Sequence, residues 1–154
     1  MRFTEYNQLL GSKMIANSCI KITTNKFPIL EGEEDEIVNE NMYGKAVCLY
    51  LENELPKLGV EVPFYCCEDW GWWLEAKESN FLVGLCVYSD PDAQGNPESY
   101  VIMPSIHNAK KWSWSKFRKI DVSNDVLNIM DKVAGIVEKD DEVDGVTRHD
   151  DFPY

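Results

Sequence analysis

The chain has 154 residues and carries 27 acidic against 15 basic side chains, a formal net charge of −12. That length fits one domain of roughly 100–200 residues, and 44% hydrophobic with 12% aromatic residues is enough to bury a core. The charge disfavours a general binder of nucleic acid or of an anionic membrane, because phosphate repels such a surface unless a local basic patch wins. It suits a basic protein partner.

No stretch approaches ~18 consecutive apolar residues, so no membrane span is expected. Met1 to Asn7 lack the apolar core of a signal peptide, and Gln8 to Ile20 is too polar to supply one. The five cysteines (Cys19, Cys48, Cys66, Cys67 and Cys86) are odd in number, and two are adjacent. That is a poor disulfide framework and reads as reduced thiols in a cytoplasm. Zinc needs closely spaced pairs of Cys or His. Cys66-Cys67 has no second pair, and His107 and His149 are distant, so no metal or other cofactor is expected.

In chain order, Ile20 to Thr24 alternates and is β-branched, which predicts a strand. Pro28 keeps Phe27 extended. The acids of Glu31 to Glu36 repel one another and predict a solvated loop or a helix start. Tyr43, Ala46, Val47, Tyr50, Leu51, Leu55 and Leu58 then mark one face of a helix. Pro56 should end it near Leu55, and Gly59 suits the left-handed position beyond.

The middle of the chain reads as β. Gly71 to Lys77 and the apolar run Phe81 to Tyr88 predict a hairpin about Glu78-Ser79-Asn80. Ser89 to Pro97 is a loop, and Tyr100 to Met103 a third strand closed by Pro104. Lys111 to Phe117 suggests a fourth. Ser123 reads as the N-cap of a second helix, with the stripe Val126, Leu127, Met130, Val133, Ala134 and Val137 facing a core. Val143 to Arg148 could add an edge strand, and the chain is expected to fray from about residue 149. The expected architecture is a single α+β domain over 1–154, with an antiparallel sheet of four to six strands and two helices packed on it.

Two segments stand out chemically. Phe64 to Trp73 holds three of the five tryptophans, with Glu68 and Asp69 just before them. As a binding surface it offers aromatic anchors beside carboxylates that receive Arg or Lys. Its ordinary structural reading puts Trp72 in the core and Trp70 and Trp73 on the sheet's other face. Glu68 and Asp69 make a poor acid–base pair, because neighbours on a strand point to opposite faces. Lys110 to Lys119 interleaves five bases with Trp112, Trp114 and Phe117. That could stack single-stranded nucleic acid, but against this net charge it reads better as a protected strand edge. No G-x-S-x-G, P-loop, G-x-G-x-x-G or H-E-x-x-H motif is present.

The pentapeptide Glu68-Asp69-Trp70-Gly71-Trp72 leads into a strand, followed by Phe81 to Tyr88, Trp112 to Asp121 and a final helix. Over residues 43–148 this pattern resembles small uncharacterised cytosolic bacterial α+β domains, some of immunity-protein type in bacterial toxin systems. The resemblance implies a binding protein and brings no catalytic residues.

The sequence therefore predicts a non-catalytic acidic protein that neutralises a basic partner such as a toxin. The partner-binding residues expected are Glu33, Glu34, Asp35, Glu36, Glu68, Asp69, Trp70 and Trp73. Two alternatives stand beside it: a ligand or enzyme pocket lined by Trp70, Trp73, Tyr65 and Cys67, and a nucleic-acid mimic or binder. A histidine–thiol pairing of His107 with Cys66 or Cys67 also stays open.

Overall fold

A computed structural model describes residues 15–112 and 121–154 of the chain. Six strands form one antiparallel sheet: β1 (Cys19–Thr23), β2 (Tyr65–Glu68), β3 (Gly71–Glu78), β4 (Phe81–Pro91), β5 (Pro97–Lys111) and β6 (Gly145–His149). Their spatial order is β2-β3-β4-β5-β1-β6. The helices α1 (Lys45–Glu54) and α2 (Ser123–Glu138) pack on one face. This is the single α+β domain that the strand and helix periodicities predict.

The helix-facing side carries the main core. Trp72, Leu74, Val87, Ile102, Ile20 and Ile22 of the sheet meet Val47 and Leu51 of α1 and Val126, Ile129, Met130 and Val133 of α2. Trp72 is 1% exposed, and its indole N–H donates to the Met42 carbonyl at 2.8 Å. A Cβ on Gly44 would lie 2.8 Å from the Trp72 ring, so the glycine makes room for that close approach. Helix α1 runs into a 3-10 turn at Leu55–Leu58, containing Pro56, and stops at Gly59 with φ 84°. Proline removes the N–H that the α-ladder needs, and glycine takes the left-handed stop.

The opposite face has a smaller cluster of Cys19, Cys86, Tyr88, Val101 and Met103, with Trp70, Trp73 and Phe152 packed against it. Trp73 lies flat over Gly84: a Cβ there would fall 1.8 Å from the indole. The β3–β4 hairpin turns at Ser79, which takes φ 55°. Its register pairs Trp72 with Val87 and Trp73 with Cys86, which sends successive tryptophans to opposite faces.

Two expectations need correction. Pro104 does not close the third strand: β5 continues to Lys111 and pairs Pro104 with Leu85. Pairing of β5 with β1 is confined to Ser99–Ile102, so Pro104 lies where one side of the strand is open, a setting that tolerates proline. Residues 106–109 bulge out of the ladder, because Gly84 pairs with Ser105 and Leu82 with Lys110. Ser123 is the first helical residue rather than the N-cap. Asp121 supplies the cap-like acceptor, taking the Ser123 N–H at 2.9 Å. Beyond β6, Phe152 packs on Tyr88, and the Tyr154 hydroxyl shares a hydrogen bond with Ser99. Of the strand expected over Lys111 to Phe117, Lys111 is the last residue of β5, and residues 113–117 lie outside those described.

Candidate functional site

One end of the sheet gathers four segments that are far apart in sequence. There β2, β4 and β1 end, β3, β5 and β6 begin, α1 starts and α2 stops. The long segment 24–45 runs across this end and touches the other three. Its Asn39 side chain donates to the Asp69 carbonyl in the β2–β3 turn at 2.5 Å. The Ser89 hydroxyl near the end of β4 donates to the Asn41 carbonyl at 3.3 Å, and the Thr24 N–H donates to the Glu98 carbonyl at 3.1 Å. On the α2–β6 side, the Thr24 hydroxyl donates to the Glu142 carbonyl at 2.9 Å, and the Lys26 ammonium meets Asp140 at 2.5 Å.

These segments concentrate the chain's charge. Segment 24–45 holds six acids (Glu31, Glu33, Glu34, Asp35, Glu36 and Glu40), and the β2–β3 turn holds Glu68 and Asp69. Residues 90–98 add Asp90, Asp92 and Glu98, and residues 138–144 add Glu138, Asp140, Asp141, Glu142 and Asp144. That is sixteen of the 27 acids, against Lys26, Lys45 and Lys139 among the 15 bases. Neighbours within the Debye length of about 8 Å at physiological salt reinforce one another, and sixteen negative against three positive charges make this end a negative pole.

Two acids of this end are structural. Glu33 is 1% exposed. Its Oε1 accepts the N–H groups of Gly44 at 2.8 Å and Lys45 at 2.9 Å, and its Oε2 that of Leu30 at 3.0 Å. The carboxylate stands in for the side-chain cap that Gly44 cannot give α1, and it places a negative charge on the positive end of that helix. Glu33 is therefore not part of the exposed surface on which the sequence placed it. Asp140 takes Lys26 and, at 2.7 Å, the Tyr50 hydroxyl. Those bonds hold its carboxyl down to about 2.

The other sequence-selected acids are exposed: Glu34, Asp35, Glu68 and Asp69 without an ion pair among the described residues, and Glu36 paired with Lys45. Exposed Val38 sits among them at 57%. Trp70 is half-buried at the rim, its ring 5.4 Å from Tyr88. Trp73 lies on the second face, away from the helices. Sequence reasoning missed Asp90, Asp92 and Glu98 because none sits in an acidic run.

The four residues expected to line a ligand pocket do not share a face. Tyr65 and Cys67 pack against the helix-side core, Trp70 and Trp73 against the opposite cluster. The thiols are poor nucleophiles. Burial and the Glu68 carboxylate push Cys66 up to about 11, and burial, helped by the carboxylates of Glu33, Glu68 and Glu36, raises Cys67. His107 stands on β5, with β3 and β4 between it and the cysteines of β2. Among the described residues no group of three or more His, Cys, Asp or Glu could hold a metal ion, and no helix is long and apolar enough to cross a membrane. Of the basic aromatic stretch, Lys111 pairs with Asp125 at 3.0 Å and Trp112 is exposed, while Trp114 and Phe117 lie outside the described residues.

The fold and its pole define a two-layer antiparallel α+β protein with a charged end. No protein-family model, curated protein or solved structure matches the chain.

Proposed function

We propose that the protein is a non-catalytic acidic binding protein whose negative pole docks a basic protein partner. In its specific form this is an immunity or inhibitor protein, cytoplasmic and bacterial, that neutralises a toxin. The observation that carries the reading is the convergence of four sequence-distant acidic segments on one sheet end, stapled by the hydrogen bonds of segment 24–45. Concentrated charge steers an oppositely charged partner and suppresses others, while Trp70 at the rim offers an aromatic anchor.

The test uses toxins encoded beside the gene. Co-expression should rescue growth, and the toxin should co-purify with the chain at low salt. Charge reversal of Glu34, Asp35, Glu68 and Asp69 to Lys should abolish both effects. Reversal of Glu52 and Glu61, exposed acids outside the four segments, should leave them intact. Rescue that survives reversal of the pole would overturn the assignment of the surface. Failure to rescue against any neighbouring toxin would overturn the immunity reading.

A further inference from the structure

Strand β2 forms one edge of the sheet and pairs only with β3 among the described residues. The Glu75 N–H donates to the Phe64 carbonyl at 2.8 Å, which makes Phe64 and Glu75 a hydrogen-bonded pair. Bonded and non-bonded pairs alternate along an antiparallel ladder, so Tyr65–Leu74 and Cys67–Trp72 are the non-bonded ones. Tyr65 and Cys67 therefore turn their N–H and C=O groups away from β3. Among the described residues no other backbone group meets those donors and acceptors. Neither residue is buried, and β2 contains no proline or lysine of the kind that guards an edge.

This edge runs into the negative pole. Phe64, Cys66 and Glu68 alternate onto the face away from the helices, and Glu75 joins them there from across Phe64. The Cys66 thiol lies 3.4 Å from the Glu68 carboxylate. Raised first by burial, that thiol is raised further by Glu68 and Glu75, so both carboxylates act on the middle of the edge. Neither has an ion pair among the described residues, and Phe64 beside them is 52% exposed. An added strand would find free backbone groups at Tyr65 and Cys67, two carboxylates for cationic side chains, and an apolar ring at one end. The opposite edge, β6, carries Arg148 and His149 and suits a basic strand less.

We infer that the basic partner docks by adding an extended Lys- or Arg-bearing segment to the open edge of β2, with alternate side chains reaching Glu68 and Glu75. The inference rests on the basic-partner reading and names the form in which that partner is recognised. Backbone bonds to Tyr65 and Cys67 supply affinity for any extended chain, and the carboxylates select a cationic one. A second copy of this chain fits less well. It carries the same net charge of −12, and its own edge strand, Tyr65–Glu68, has no base to offer.

The test uses the full chain at low salt, with a short synthetic peptide of alternating Lys and Val as probe. A control peptide of the same sequence is N-methylated at every residue, which keeps its charge and removes its capacity for strand pairing. Affinity is measured by titration, and the site is read from amide exchange residue by residue. The unmethylated peptide should slow exchange about tenfold at Tyr65 and Cys67 and leave Cys66, already bonded to β3, unchanged. The methylated peptide should bind about tenfold more weakly and slow neither amide. Equal binding of the two peptides, without slowing at Tyr65 and Cys67, overturns strand addition and leaves the basic-partner reading standing. Binding of neither peptide overturns strand addition and counts against that reading as well. Slow exchange at Tyr65 and Cys67 in the chain alone also overturns the inference; if it rises with protein concentration, a second copy occupies the edge.

Discussion

Glu33 gives the sharpest test of how this end of the fold is held. Replacing it with alanine leaves the N–H groups of Leu30, Gly44 and Lys45 without an acceptor. Hydrogen bonds to a charged group contribute about 1.5–3 kcal/mol each, and an abandoned buried donor costs about 1–3 kcal/mol. Water entering the gap recovers part of this, so the expected loss is about 3–5 kcal/mol for three bonds. In a chain of this size 1 kcal/mol moves the midpoint by about 2–4 °C, so Glu33→Ala should melt on the order of 10 °C lower. Glu33→Gln keeps an acceptor oxygen but turns an amide donor toward a donor-rich site, and should cost about 1–2 kcal/mol. The assay is urea unfolding followed by dichroism, with the slope unchanged and the midpoint shifted. A Glu33→Ala chain within about 0.5 kcal/mol of the native one, the range of ordinary surface changes, would refute the capping role.

Asp140 should govern part of the acid sensitivity. Its folded value, about 2, lies below the ordinary 3.8, so the stability it contributes is full above about pH 4 and is lost as pH falls through 2. The urea-midpoint gap between the native chain and Asp140→Asn should therefore close between pH 4 and pH 2; a gap constant over that window would contradict the Lys26 and Tyr50 bonds. Gly84→Ala puts a Cβ 1.8 Å from the Trp73 indole, which must then move off the sheet. A loss of about 1–3 kcal/mol and a red shift of tryptophan emission are expected, and unchanged emission would count against the packing. Trp72→Phe keeps most of the buried ring but loses the bond to Met42, and should loosen segment 24–45; amide exchange near Met42 no faster than in the native chain would show that the bond does not hold it.

Legibility in the sequence followed the range of the interactions. Both helices and the β3–β4 hairpin rest on local periodicity and were readable to within a residue or two. The fate of Pro104 was not, because it depends on where β1 stops pairing, and β1 is some eighty residues earlier in the chain. Residues 150–154 looked polar, yet Phe152 and Tyr154 find Tyr88 and Ser99, contacts that no local pattern encodes. The acidic runs were visible, and Glu33 was counted with its exposed neighbours. Nothing local distinguishes it from Glu34; burial comes from Leu30 and Gly44 closing around it.

The charge of −12 thus has a direction. Four acidic segments drawn to one sheet end repel each other, and left to electrostatics alone segment 24–45 would swing away from the others. It is instead fixed by Glu33 on α1, Lys26 on Asp140, Thr24 on Glu142 and Glu98, Asn39 on Asp69 and Asn41 under Ser89. An acidic surface whose only task is solvation needs no such fixing, since water stabilises its charges best when they are spread apart. On the proposed reading the bonds hold the pole in shape before a partner arrives, which lowers the ordering cost of docking. Loosening a staple distant from the partner should then weaken binding while the number of acids stays the same. Asn39→Ala, which frees the loop from the β2–β3 turn, is the variant that separates a shaped pole from a mere sum of charges.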